Sequence, residues 1–348
     1  MNTHQIDTLR EAVQLNCHIS DAQFAGEYTM CVYLLKMREL YRWESGLPFN
    51  AGLPKQDVGS WLSEREQFWE QIQERDFVPV TIDGNTFQPL QTEDINAALE
   101  PHGLVYSGGL GSGCRPHFFL AELEQRHDHG DYRVLVAGRE LARDLTAPPA
   151  MALGRTIFIR RESLRRMIWE KLEEWRWRRH EGPLARAFEY YDFDTDPEGA
   201  LEAITDCELD AVILHEMGEV RAGDLLGDDW HRMLAALPRS QAEFMARAVR
   251  DHLADCLSTL PGLIENQRPA SLHFYFGNLR AMRRELFPGL HEAYEHWVAN
   301  DRLERLQELT ERGSRHWRDV AREMLDLYRQ HGENCTGHIV DLAQKQRL

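Results

Sequence analysis

The sequence predicts a mainly helical α+β protein: a helical bundle-like core carrying a small antiparallel β-sheet insertion. Three observations predict it. Apolar residues recur at three- and four-residue steps over 6–43, and β-rich apolar runs replace that pattern between 77 and 160. Helical spacing, punctuated by prolines, returns after Arg160. These changes divide the chain into an N-terminal helical region (1–76), a small antiparallel β region (77–160) and a C-terminal helical domain (161–348).

In the first region, Leu9, Val13, Ile19, Phe24, Tyr28, Val32, Leu35, Met37 and Leu40 form the apolar stripe. Gly26 and the Ser20-Asp21 pair are expected to split it into two helices, because Ser and Asp make good caps. A loop over 46–54 leads to a helix over 60–76, with Ser60 as its cap and Trp61, Phe68, Trp69 and Ile72 turned inward. A hairpin is predicted around Asp83-Gly84-Asn85. Strands follow over 104–106, 117–123, 132–137 and 156–159, the second and third flanking a polar turn at 126–131. They lack the helical crossovers that a parallel sheet ordinarily needs. Asp196-Pro197-Glu198 marks a strong helix start. Further helices are expected over 206–226, 239–258, 270–286, 289–298 and 301–330, with breaks at Pro238, Pro261, Pro269 and Pro288. The last range reads as an ion-pair-laced helical hairpin available to a protein partner or a second copy of the chain.

Composition narrows the function classes. Hydrophobic residues make up 43% and charged residues 28%, enough apolar matter to bury a core. Forty Lys and Arg against 57 Asp and Glu leave a net charge of −17, which repels phosphate backbones, so no nucleic-acid partner is expected. No apolar run is long enough for a membrane span, and the polar N-terminus is wrong for a secretory signal. A cytoplasmic setting is expected. The six cysteines include no C-x-x-C pair, so a zinc ribbon or thioredoxin-like motif is unsupported, and buried inert thiols are expected.

The most specific chemical signal is Ala211-Val-Ile-Leu-His215-Glu216-Met217-Gly218-Glu219. On a helix His215 and Glu219 project from one face and can share a metal ion. Glu216 stands where a zinc hydrolase places the base that activates water. The pattern is H-E-x-x-E, with a carboxylate where the zinc-protease signature has its second histidine. The expectation is a metal-dependent, hydrolase-like enzyme with Glu216 catalytic and His215, Glu219 and His252 as ligands of zinc. Glu243, Asp255 and His273 are further ligand candidates. An alternative, a carboxylate-bridged di-iron oxidase, draws in His18, Asp21 and Glu27. A second alternative is a non-catalytic helical scaffold in which arginines neutralise a structural His-Glu cluster.

Two weaker signals have plainer readings. The glycine-rich Ser107–Gly113 segment precedes a predicted strand, not the helix a phosphate loop needs, so a turn or mobile loop is expected. The Trp- and Arg-rich stretch 160–180 reads as an amphipathic helix packing by its tryptophans.

Three stretches carry a resemblance: Asn16 to Ala22 continuing through 33–39, His215 to Glu219, and His273-Phe274-Tyr275-Phe276-Gly277-Asn278-Leu279. Together they are similar to a family of proteobacterial proteins of unknown function over most of the chain. The resemblance implies a bacterial cytosolic protein and no particular activity, cofactor or partner.

Overall fold

The computed structural model describes residues 1–348 apart from 112–114, 131, 179 and 280, and it divides into two units, Met1–Glu170 and Lys171–Leu348.

In the N-terminal unit, α1 (Thr3–Phe24) ends in a short 3-10 turn that contains Gly26, and α2 (Met30–Glu44) follows. Ser20 and Asp21 are not caps. They lie buried inside α1, where Ser20 Oγ donates to the Pro116 carbonyl (2.5 Å) and Asp21 accepts from the Leu145 N–H (3.1 Å). Helix α3 (Lys55–Ile72) starts before Ser60, which is interior to it. The hairpin forms as expected: β1 (Val80–Ile82) and β2 (Asn85–Phe87) join through Asp83 (φ 48°) and Gly84 (φ 84°). Two consecutive left-handed residues match the twist of the flanking strands. Helix α4 (Thr92–Leu99), too short to establish a period, was not foreseen.

The expected small antiparallel sheet is corrected to a five-stranded mixed sheet, ordered β3-β4-β5-β7-β6. Its strands are β3 (Leu104–Leu110), β4 (Pro116–Asp128), β5 (Arg133–Arg143), β6 (Ala150–Leu153) and β7 (Thr156–Arg160). Strands β5 and β7 run parallel, with Arg133 opposite Thr156 and Ala137 opposite Arg160. The antiparallel strand β6 makes the return run, so a parallel pair forms without the helix that the sequence argument required. A fully buried ion pair sits at the end of that pair, where Arg160 Nε meets Glu140 Oε1 at 2.9 Å and the guanidinium lies 4.5 Å over the Phe119 ring.

Alternation fills both faces of the sheet. Tyr106, Phe118 and Leu120 join a core with Leu9, Val13 and Cys17 of α1, while Val105, Phe119, Leu135 and Phe158 pack on the other side. The glycine-rich segment is largely strand: Ser107 to Leu110 belong to β3, and Ser112 and Gly113 lie outside the described residues. Gly108 is there for close approach, since a Cβ would stand 2.2 Å from the Pro89 carbonyl oxygen. The predicted turn at 126–131 begins later, because β4 continues to Asp128; Asp131 lies outside the described residues.

The long helix α5 (Arg161–Arg178) buries Leu164, Ile168, Trp169 and Leu172, whereas Trp177 is 90% exposed. It runs into the helical C-terminal unit. There follow α6 (Pro183–Phe188), α7 (Pro197–Leu226), α8 (Asp228–Ala236) and α9 (Gln241–Ala254). A π-helical turn, Asp255–Thr259, carries α9 without interruption into α10 (Leu260–Glu265). Then come α11 (Pro269–Asn278), α12 (Ala281–Leu286), α13 (Pro288–Asn300), α14 (Glu304–His331) and α15 (Thr336–Lys345).

Three expectations change here, the first being that the 270–286 range is two helices, α11 and α12, rather than one. Pro261 does not break the chain's helical course. Its missing N–H leaves the Leu257 carbonyl without the usual helical donor, the π turn takes up the misfit, and Arg221 Nη1 donates to that oxygen at 3.3 Å. The 301–330 range is one helix, α14, rather than a hairpin. Leu306, Leu309, Trp317, Val320, Ala321 and Met324 form one buried stripe along it, and the charges lie outside. No described helix is long and apolar enough to cross a membrane.

Candidate functional site

Helix α7 is launched as the sequence predicts. Asp196 caps it by accepting from the Gly199 N–H (3.0 Å), and Pro197 fills the first turn. It begins nine residues before the expected range and runs unbroken for 30. In its last third Gly218 meets the backbone at the end of α9: a Cβ there would lie 2.3 Å from the Ala254 carbonyl oxygen. That contact brings the His215–Glu219 face against the π turn, whose first residue is Asp255.

Asp255 is the hub. Its side chain is 1% exposed and receives four donors. His215 Nδ1 donates to Oδ1 at 2.9 Å and Thr259 Oγ1 to the same oxygen at 3.1 Å. The Tyr275 hydroxyl donates to Oδ2 at 2.7 Å, and Arg283 Nη2 makes a short ion pair with that oxygen. Burial alone would raise the Asp255 pKa; the Arg283 charge and the His215 bond reverse this and hold the carboxyl well below its usual range. Glu219 is occupied too, with Arg250 Nη2 at 2.8 Å and His215 Nε2 at 3.6 Å. The result is an alternating chain of charge, Arg250–Glu219–His215–Asp255–Arg283, tying α7, α9, the π turn and α12 together.

The expected site residues therefore meet different fates. His215 and Glu219 do share a face, but each has taken a protein partner. Glu216 is buried beside them, and burial and the Glu219 charge push its pKa up to about 7. It makes no hydrogen bond or ion pair among the described residues. His252 does not join His215 and Glu219. Its ring stacks on Trp317 (5.1 Å between centroids) and its Nε2–H donates to the Arg283 carbonyl at 2.8 Å. Burial and the Arg283 charge lower its pKa to about 3, so it stays neutral.

The remaining ligand candidates are also engaged. Glu243 pairs with Arg247 (2.8 Å), and His273 Nδ1 bonds the Tyr294 hydroxyl (2.9 Å) with its ring stacked on Trp297. In the N-terminal unit His18 lies 2.7 Å from Arg65 Nη1, and Glu27 meets Arg115 at 2.7 Å. Among the described residues, no group of three His, Cys, Asp or Glu side chains is arranged to hold a metal ion. Sequence reasoning missed Arg250, Tyr275 and Arg283 as members of the cluster. The available signal was the apolar run 211–214 leading into three ionisable groups, which demands buried partners without saying which.

The pH behaviour follows from the network. Burial opposes charge on His215, but the bond to Asp255 and the charges of Asp255 and Glu219 win, raising its pKa to about 9. A histidine whose pKa is raised on folding stabilises the fold fully below its unfolded value of about 6.5 and loses that contribution as pH rises through about 9. Urea unfolding at pH 6.5 and pH 9 is expected to show a loss of about 2 kcal/mol, discounted for the partial exposure of the ring. His215→Gln should remove most of this slope, leaving the smaller part that Glu216, with its pKa raised to about 7, contributes in the same window. An unchanged slope in the variant would assign it to another group.

The fold and site together define a two-unit α+β protein: a mixed sheet under helices in the first unit, and a helical second unit organised around a buried charge network. The chain belongs to a family of unknown function, DUF6866; the family's N-terminal domain model matches residues 8–160 and its C-terminal domain model matches 165–346. No curated protein and no solved structure matches the chain.

Proposed function

We propose that the chain is a non-catalytic helical interaction protein in which the His215–Glu219 segment is a structural strut. One observation carries this reading: guanidinium groups occupy both carboxylates that a cation would need, Arg250 on Glu219 and Arg283 on Asp255. A divalent ion entering there meets two fixed positive charges and a histidine that carries its own proton at neutral pH. A protonated imidazole is also no general base. Charge on the outer face of α14, where Glu311, Arg312, Arg315, Arg322 and Glu323 are exposed, supplies the surface for a protein partner.

A second reading keeps one supporting observation. Glu216, with a pKa near 7 and no ion-pair partner among the described residues, has the proton affinity of an acid–base residue beside His215 and Glu219. A metal-dependent hydrolase, with His215 and Glu219 as ligands, would use it to activate water.

Elemental analysis of natively purified protein, beside His215→Ala, separates the two. The strut reading expects less than about 0.1 metal per chain in the parent, before and after reconstitution with zinc or iron. It also expects His215→Ala to lose about 2–4 kcal/mol of stability, as an ion-paired partner of a buried carboxylate should. Near-stoichiometric metal in the parent that disappears from a folded His215→Ala protein would overturn it.

A further inference from the structure

The aromatic segment that supplies Tyr275 to the network has a second use. Its next residues, Phe276, Gly277 and Leu279, line a cavity of about 440 Å³ within the C-terminal unit, shared with the end of α5, with α6 and with α13. That volume falls in the range of small-molecule sites. The walls are held in place. A Cβ at Gly277 would stand 2.5 Å from Leu184 Cγ, so the glycine lets α6 lie directly on α11. Trp175 is fixed at the other side by its Nε1–H bond to the His180 carbonyl (3.1 Å) and by its ring against Phe188 (5.5 Å). Trp175, Leu184, Phe276 and Leu279 together make an apolar and aromatic wall.

The charged groups on the lining are not equivalent. Arg178 is paired with Glu174 at 3.3 Å, and Glu295 lies 3.8 Å from Arg186. Arg284 has no carboxylate partner among the described residues. Its Nη2 instead donates to His291 Nε2 at 3.0 Å. A guanidinium only donates, so Nε2 must carry the lone pair, which makes His291 a neutral imidazole with its proton on Nδ1. Burial and the Arg284 charge lower the His291 pKa and keep it so. The lining thus offers one uncompensated guanidinium, with N–H groups to spare, at the edge of an aromatic wall. Glu181, an acid of the same lining with no ion-pair partner among the described residues, repels ligands of higher negative charge.

We infer that this cavity binds a small aromatic monocarboxylate, its ring against Trp175 and Phe276 and its carboxylate on Arg284 and His291. The acidic chain selects against phosphates and dianions, while Arg284 provides the planar fork that a carboxylate fits. The inference stands apart from the strut reading, because no residue of the cavity belongs to the His215 network; a metal found at His215 would leave it untouched.

Titration calorimetry of the full chain with indole-3-propionate, and with its uncharged amide, tests it. The acid is expected to bind with a Kd below about 1 mM and the amide at least about tenfold more weakly. Arg284→Gln, an exposed change that leaves the wall intact, should weaken the acid by about tenfold or more and leave the amide unchanged. Arg178→Gln, which removes the already paired arginine, should stay within about twofold of the parent. No heat from the acid at millimolar concentration, equal affinity for acid and amide, or acid binding indifferent to Arg284→Gln would each overturn the inference.

Discussion

Asp255→Asn is expected to cost the C-terminal unit about 3–5 kcal/mol, because it strands two positive charges at a nearly dry site. The substitution keeps the side chain's shape, so packing is unchanged. Arg283 and protonated His215 lose the carboxylate that both contact, and because Tyr275 and Thr259 donate to different oxygens, one of them faces an amide NH2 in place of its acceptor. The same change should lower the His215 pKa from about 9, since burial and the Arg283 charge oppose protonation and only Glu219 still favours it. Urea unfolding gives the first quantity, and an NMR titration of the imidazole gives the second. A variant losing less than about 1 kcal/mol, with His215 still titrating near 9, would falsify the hub assignment.

Two glycines five residues apart on α7 should respond to alanine with opposite signs. At Gly218 the new methyl would sit 2.3 Å from the Ala254 carbonyl oxygen and 2.8 Å from its carbon, both backbone atoms that cannot swing aside. The helices must separate at the contact that positions His215 against Asp255. A loss of at least about 2 kcal/mol is expected even after the gain in helix propensity. At Gly223 a Cβ meets nothing within 4 Å, and Gly223→Ala should stabilise the protein by about 0.5–1 kcal/mol. Denaturation of the two variants beside the parent measures both. If Gly218→Ala is as stable as the parent, the close approach of α7 to α9 is not what holds the network together.

The contrast between those glycines shows where sequence reasoning reaches its limit. Both are helical glycines with the same local cost, and no local rule tells which of them a neighbouring helix approaches. The difference is made by Ala254, which is remote in sequence and arrives only when α9 packs across α7. The same holds for the glycine-rich stretch at 107–113: its composition suggested a loop, whereas Gly108 is needed because Pro89 approaches the strand. Ser20 and Asp21 looked like caps for the equivalent reason. Their polar side chains serve Pro116, the first residue of β4, and Leu145, just beyond the end of β5, which periodicity within α1 cannot reveal.

By itself the sequence determined the order of helical and β-rich regions, the launch of α7 at Asp196-Pro197, the Asp83-Gly84 hairpin and the shared face of His215 and Glu219. Each depends on interactions within about one turn or one hairpin, which spacing records directly. Only the tertiary structure decided that the sheet is mixed, that Pro261 is absorbed by a π turn, and that Arg250 and Arg283 neutralise the acids proposed as ligands. A buried carboxylate must be neutralised, and the sequence states that demand. Whether a proton, a metal or an arginine meets it depends on which distant helix is packed alongside, and that is a property of the folded chain.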